Sequence, residues 1–203
     1  DGKGLAGLEM SLQDRIVGKK KPPLPISIDI RLQHIVRNIL DGAVRKFSAI
    51  GAAAIVMDAK SGEVLSMVSL PDYDPSEPGK ADAESRFVRP TIGVYETGST
   101  FKIFTTAIAL EKKVVNLRKV YDVTKPLRVG RFSIRDYHPE KYPLTVAHIF
   151  RVSSNIGSAL MALDFGAETQ MEYVRKLGLT TRMSYEIPER ALPIVPNPWG
   201  KVT

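Results

Sequence analysis

Apolar positions along the chain fall into alternating helical and strand-like stretches. Leu32, Val36, Ile39, Ala43 and Phe47 recur every three to four residues, the spacing of one helix face, and Asp29 ahead of them is a suitable N-cap. Two short apolar runs follow, at 52–57 and 63–68, on either side of Asp58-Ala59-Lys60-Ser61-Gly62. Apolar runs around a polar turn ending in Gly predict a β-hairpin. The first run does not alternate, which predicts a strand buried on both faces. Pro71, Pro75, Pro78 and Pro90 then break up residues 71–98 into a long loop of the kind that tends to carry function. From Thr100 to about Lys112 apolar side chains cover most of a helical circumference and predict a buried central helix.

Beyond it the pattern predicts short strands around 127–129 and 131–134, and a short helix to Val152 capped by Thr145. Further helices are expected from Ile156 to about Asp164 and from Glu168 to Leu177, the last stopped by Gly178. The two ends look irregular. Gly2, Gly4, Gly7 and Gly18 scatter through residues 1–25, which close on Pro22, Pro23 and Pro25 and read as a connector. Pro193, Pro196 and Pro198 precede Trp199 at the other end. The mixture is that of an α/β chain without repeats.

Composition changes this picture little. The 203 residues are 43% hydrophobic and 25% charged, enough to bury one sizeable core without staples. No Cys is present, which excludes disulfides and thiolate metal sites. The net charge of +7 is spread out, and its longest run, Lys19-Lys20-Lys21, is too short for a nucleic-acid-binding tail. No stretch approaches the roughly 18 apolar residues of a membrane span. The chain begins on Asp1, which suggests a processed or engineered boundary.

Two motifs carry candidate chemistry. In Ser99-Thr100-Phe101-Lys102 the lysine shares the serine's helix face one turn on. A serine hydroxyl attacks only if a base takes its proton, and a lysine is a base only when burial or a nearby cation makes it neutral. The Ser99 backbone N–H at a helix start is also placed to serve as half of an oxyanion hole. The bland alternative is an ordinary N-cap followed by a solvated lysine. Ser153-Ser154-Asn155, between two helices, offers a hydroxyl relay at Ser153 and a carboxamide at Asn155 that can hold an amide; a linker with Asn155 as N-cap fits the same letters. His34, His138 and His148 are dispersed and lack ligand spacing, and Gly-x-Ser-x-Gly, P-loop and dinucleotide fingerprints are missing.

These residues give the chain a resemblance to the class B penicillin-binding proteins, the monofunctional peptidoglycan transpeptidases. Gly4-Leu5-Ala6-Gly7-Leu8-Glu9 resembles the family's junction between pedestal and catalytic domain, and Ser27-Ile28-Asp29 with Leu32-Gln33 its first catalytic helix. Residues 58–67 and Pro71-Asp72-Tyr73-Asp74-Pro75 resemble its hairpin and following loop. Tyr95-Glu96-Thr97-Gly98-Ser99-Thr100-Phe101-Lys102 is similar to the nucleophile motif, and Leu144-Thr145-Val146-Ala147 leading to Ser153-Ser154-Asn155 to the second motif. Glu96 leans towards the cell-division subgroup; Thr97 and Ile103 depart from commoner residues without removing a catalytic group. The family's Lys-Thr/Ser-Gly strand is not found.

The resemblance implies a penicillin-recognising serine transpeptidase fold: an antiparallel sheet with flanking helices and a helical subdomain, the sheet incomplete in this chain. Residues 1–25 would be the connector from the pedestal and 26–203 a partial transpeptidase domain. The implied activity is D,D-transpeptidation through an acyl-enzyme on Ser99, with Lys102 and Ser153 catalytic and Asn155 substrate-binding. The implied partners are peptidoglycan stem peptides, β-lactams and divisome membrane proteins, with no nucleic acid, metal or cofactor. The implied location is the inner membrane, with the catalytic domain in the periplasm on an anchor absent here. The chain alone is expected to be inactive. A serine β-lactamase or β-lactam sensor domain, and a non-catalytic divisome scaffold, are the alternatives.

Overall fold

The computed structural model describes residues 3–18 and 22–196. The Lys19–Lys21 run, Gly2, Pro198 and Trp199 lie outside the described residues. The chain divides into two units, Asp1–Val94 with Arg182–Leu192, and Tyr95–Thr181 with Pro193–Thr203.

The first unit holds α1 (Gly7–Ser11), α2 (Gln13–Ile16), α3 (Ile30–Phe47), β1 (Ala52–Met57), β2 (Val64–Leu70), α4 (Ala83–Arg86) and α5 (Arg89–Ile92). The stretch expected to be a connector thus carries two short helices. The Asp29 carboxylate caps α3 by accepting from the Arg31 and Leu32 N–H groups, and the helix ends at Ser48 in the left-handed region. β1 and β2 pair antiparallel from Ala52↔Leu70 to Met57↔Val64. The turn between them is held by the Asp58 carboxylate, which accepts from the Lys60 and Ser61 N–H groups at 2.8 Å each.

Gln33 on α3 closes the outer edge of β2. Its carboxamide donates to the Met67 carbonyl at 2.7 Å and accepts from the Met67 N–H at 2.9 Å and the Ser66 hydroxyl at 2.8 Å. One glutamine so replaces the two hydrogen bonds that a further strand would make at that residue.

Three expectations need correcting. β1 is not buried on both faces: its residues alternate between half-buried and exposed, with Ile55 46% and Met57 57% exposed. α3 and α5 pack against the hairpin, and nothing described covers the face that bears Ala53, Ile55 and Met57. Uniformly apolar letters therefore do not tell a strand buried on both faces from one covered on a single face. The loop at 71–98 contains single turns at Pro78–Lys80, α4 and α5, and Pro78 and Pro90 stand in the first turn of their elements, where a missing N–H costs nothing. The helix after Ser99 is covered on one side only, as described next.

The second unit opens with a 3₁₀ turn, Gly98–Phe101, and continues through α6 (Lys102–Glu111), β3 (Val120–Tyr121), β4 (Leu127–Val129), β5 (Phe132–Ile134), β6 (Leu144–Thr145), α7 (Val146–Val152) and α8 (Asn155–Lys176). β3 pairs with β6 and β4 with β5, both antiparallel. The core gathers Ala109, Val123, Leu144, Val146, Ile149, Ile156 and Met161, each no more than 4% exposed. α6 buries Thr105, Thr106, Ile108 and Ala109 yet leaves Ile103 51% exposed, because α8 packs along one flank of it. The Thr145 hydroxyl caps α7 as expected, accepting from the His148 N–H. The two helices expected between Ile156 and Leu177 form one element broken at Gly166, whose φ of 81° suits glycine. Gly157 lets α7 and α8 approach: a Cβ there would lie 2.6 Å from the Ile149 side chain. The whole is an α/β arrangement of antiparallel pairs with flanking helices.

Candidate active site

Ser99 lies in the 3₁₀ turn that leads into α6, one turn before the α-helix proper rather than at its first residue. Gly98 precedes it with φ +54°, a backbone state that a side chain would strain. That kink presents Ser99 on the exposed start of the helix, where the first N–H groups have no partner within the helix.

Lys102 is where the elements converge. Its ammonium donates to the Ser99 hydroxyl at 3.2 Å, the Ser153 hydroxyl at 3.0 Å, the Ser153 carbonyl at 2.5 Å and the Asn155 Oδ1 at 2.6 Å. Four acceptors thus surround a group with three protons to give. Burial pushes the Lys102 ammonium below its ordinary value of 10.5, and the negative charge of Asp136 pulls the other way. Lys102 is no solvated surface lysine. Loss of one proton leaves an amine able to accept from Ser99.

Ser153 ends α7 in the left-handed conformation, φ 57° and ψ 44°. A non-glycine residue there is strained by about 1–2 kcal/mol. The same turn aims both its carbonyl and its hydroxyl at Lys102. The N-cap of α8 is Ser154, not Asn155: its hydroxyl accepts from the Gly157 N–H at 2.9 Å. Asn155 is therefore the first helical residue. Its Nδ2 donates to the Arg135 carbonyl at 2.8 Å, which turns Oδ1 to Lys102 and fixes the amide's orientation.

All four expected residues, Ser99, Lys102, Ser153 and Asn155, meet within this second unit. The residue that sequence inspection missed is Asp136, just beyond β5. Its carboxylate accepts from the Ser154 hydroxyl at 2.7 Å, from the Ile156 N–H at 3.0 Å and from the Asn155 N–H. No motif spacing links position 136 to 154, so no signal in the letters could have found it.

The third element also needs correction. Lys60-Ser61-Gly62 does spell Lys-Ser-Gly, so the triplet is present in the chain. It sits exposed in the tight turn between β1 and β2, in the other unit, and not on a strand. The histidines lie apart from the site residues in the hydrogen-bond pattern: His34 bonds Asn38, His148 bonds Arg151, and His138 packs edge-on to Tyr137. Among the described residues no cluster of His, Asp or Glu is arranged to hold a metal, and no helix is long and apolar enough to cross a membrane.

The chain is similar to known proteins. The model for the penicillin binding protein transpeptidase domain matches residues 52–202. A probable peptidoglycan D,D-transpeptidase FtsI of Caulobacter vibrioides is 39% identical over all of this chain and 35% of its own length. A probable peptidoglycan D,D-transpeptidase PenA of Neisseria gonorrhoeae is 32% identical over 97% of this chain and 38% of its own. A crystal structure described as a peptidoglycan glycosyltransferase from Burkholderia ambifaria superposes with a TM-score of 0.76 at 28% identity, covering 88% of this chain and 53% of that one. The chain spans a little over a third of the length of these two curated relatives. With its mixed fold and a match across most of its length, the chain belongs to the penicillin binding protein transpeptidase domain family.

Proposed function

We propose that this chain carries the nucleophile half of a peptidoglycan D,D-transpeptidase, with Ser99 as the acylated residue. The observation that supports it most is the reach of Lys102 Nζ to Ser99 Oγ, Ser153 Oγ and Asn155 Oδ1 within 3.2 Å. Neutral Lys102 takes the Ser99 proton as Oγ bonds to the carbonyl carbon of the penultimate D-Ala. The C–N bond to the terminal D-Ala then breaks, and the leaving amine receives a proton through Ser153. Asn155 holds the substrate amide. An amine of a neighbouring stem peptide next attacks the ester, forms the cross-link and returns the proton to Ser99. A β-lactam acylates the same oxygen when its ring amide opens.

The relatives described above are named as D,D-transpeptidases. That favours this activity over a β-lactamase, a sensor domain or a scaffold. On the same reading, residues 1–25 connect to a pedestal domain and 26–203 are part of the transpeptidase domain. The whole protein works in septal cell-wall synthesis with divisome membrane proteins, on a periplasmic domain anchored in the inner membrane.

Fluorescent-penicillin labelling of the full-length protein tests the reading. Ser99→Ala should abolish the covalent adduct with no change in circular dichroism. An adduct that survives in this variant rules out Ser99 as the nucleophile.

A further inference from the structure

We propose that Asp136 is a positioning residue of the acylation site: its carboxylate fixes the start of α8, and through it the place of Asn155 and Ser153 around Lys102. This rests on Ser99 being the acylated serine.

Most helices are capped by one side chain close in sequence. α8 has such a cap in Ser154. It also has a second cap from Asp136, 18 to 20 residues upstream, which accepts the Ser154 hydroxyl and the first two helical N–H groups. A carboxylate at a helix N-terminus is electrostatically favoured, but one cap would satisfy that. The neighbouring residue does more. The Arg135 carbonyl accepts from Asn155 Nδ2 at 2.8 Å, so adjacent residues grip Asn155 by its backbone and by its side chain together. Its Oδ1 points to Lys102 at 2.6 Å, and Nδ2 keeps a second N–H with which to hold a substrate amide. Ser154, between the two functional residues of the motif, is 2% exposed and spends its hydroxyl on Asp136 and Gly157. The middle letter of Ser153-Ser154-Asn155 is thus the handle by which Asp136 holds the outer two.

Asp136 also acts on Lys102 through charge. The side chains facing Lys102 are Ser99 from the 3₁₀ turn and Ser153 and Asn155 from the α7–α8 junction, all neutral. Among the described residues the charged group that acts on it is Asp136, which favours the protonated form. Removing that charge lowers the pH at which Lys102 becomes a base. Removing the grip on Asn155 slows the reaction at every pH. The two effects are separable.

The test is the pH dependence of β-lactam acylation in the full-length protein, as rate constants with fluorescent penicillin. Asp136→Asn keeps the shape but removes the charge and turns an NH₂ against donors. Its acylation should fall about 10- to 100-fold at the plateau, the size expected of a displaced reacting group. The acid limb of its profile should also move to lower pH. Asp136→Glu keeps the charge, so its limb should stay near that of the unsubstituted protein whatever its rate, and it serves if the Asn variant folds poorly. Asp164→Asn is the control: it removes a carboxylate that pairs with Lys119 at 2.7 Å and Tyr121, away from Lys102's hydrogen-bond partners. It should lose stability without losing acylation or moving the limb. Unchanged rate and limb in Asp136→Asn overturn the proposal, as does an equal loss in Asp164→Asn. Unsubstituted protein that takes no penicillin, or Ser99→Ala that still does, overturns the acyl-serine assignment itself and the proposal with it.

Discussion

On the proposed reading Lys102 works only without its proton, and burial lowers its pKa from the ordinary 10.5, against the pull of Asp136. With the neutral amine as the base, acylation should rise with pH and level off once Lys102 has lost its proton. The lowered pKa places that levelling below pH 10.5. A pH–rate profile of acylation checks this, and a midpoint at or above the free-lysine value contradicts a desolvated base. Lys102→Arg keeps the charge but cannot give up its proton at working pH. Acylation should drop by about 10²–10⁴-fold, the usual share of proton transfer, in stopped-flow or gel labelling. Ser153 poses a different trade. Its hydroxyl is the proposed proton relay, but its left-handed backbone suits glycine better than serine. Ser153→Gly and Ser153→Ala should both slow acylation, yet the glycine variant should be the more stable by about 1 kcal/mol in thermal melts. Equal stability would mean that the strain is relieved elsewhere.

Elements meet the site through close packing. α7 and α8 flank Ser153 and Asn155, and their approach depends on Gly157 lying against Ile149, which is 0% exposed. A methyl at 157 would press into the Ile149 side chain at 2.6–2.7 Å. Gly157→Ala should therefore destabilise the protein by about 1–3 kcal/mol, the range for overpacking, read as a fall in melting temperature. Gly157→Ala should cost less in an Ile149→Ala background, which removes the Cγ and Cδ atoms that the methyl meets. Additive effects of the two substitutions would place the clash elsewhere. In the other unit the segment that opens α3 is tied to β2 at several points: the Ser27 hydroxyl donates to the Val64 carbonyl, the Asp29 N–H donates to the Leu65 carbonyl, and Gln33 spans Met67. Gln33 satisfies both backbone groups of Met67, so a helix finishes the edge of a two-stranded sheet. The helical spacing of α3 does not mark Gln33 for that contact.

At the scale of the molecule, the hairpin keeps an edge at β1 that no other described strand pairs, and Ile55 and Met57 on that strand are exposed. An unpaired strand edge with apolar neighbours is a template for another chain. Residues 1–203 produced alone should self-associate on size exclusion and label poorly with penicillin, the more so because Lys60-Ser61-Gly62 sits in a turn and not on a strand. Ile55→Lys should reduce the association; a monodisperse isolated chain that labels stoichiometrically would refute both expectations. The amino-acid sequence by itself determined the local events. Asp29 and Thr145 cap their helices, the 58–62 turn closes a hairpin, and Ser99-x-x-Lys102 shares one helix face, because each depends on residues a few positions apart. The four candidate residues gathered at Lys102 were legible for the same reason, since each pair lies within a short motif. Only the tertiary structure decided which apolar faces are covered, that Gln33 completes a sheet edge, and that Asp136 reaches across 18 to 20 residues to hold the start of α8. Those contacts join segments that have no fixed spacing along the chain, so only three-dimensional packing of the folded backbone can specify them.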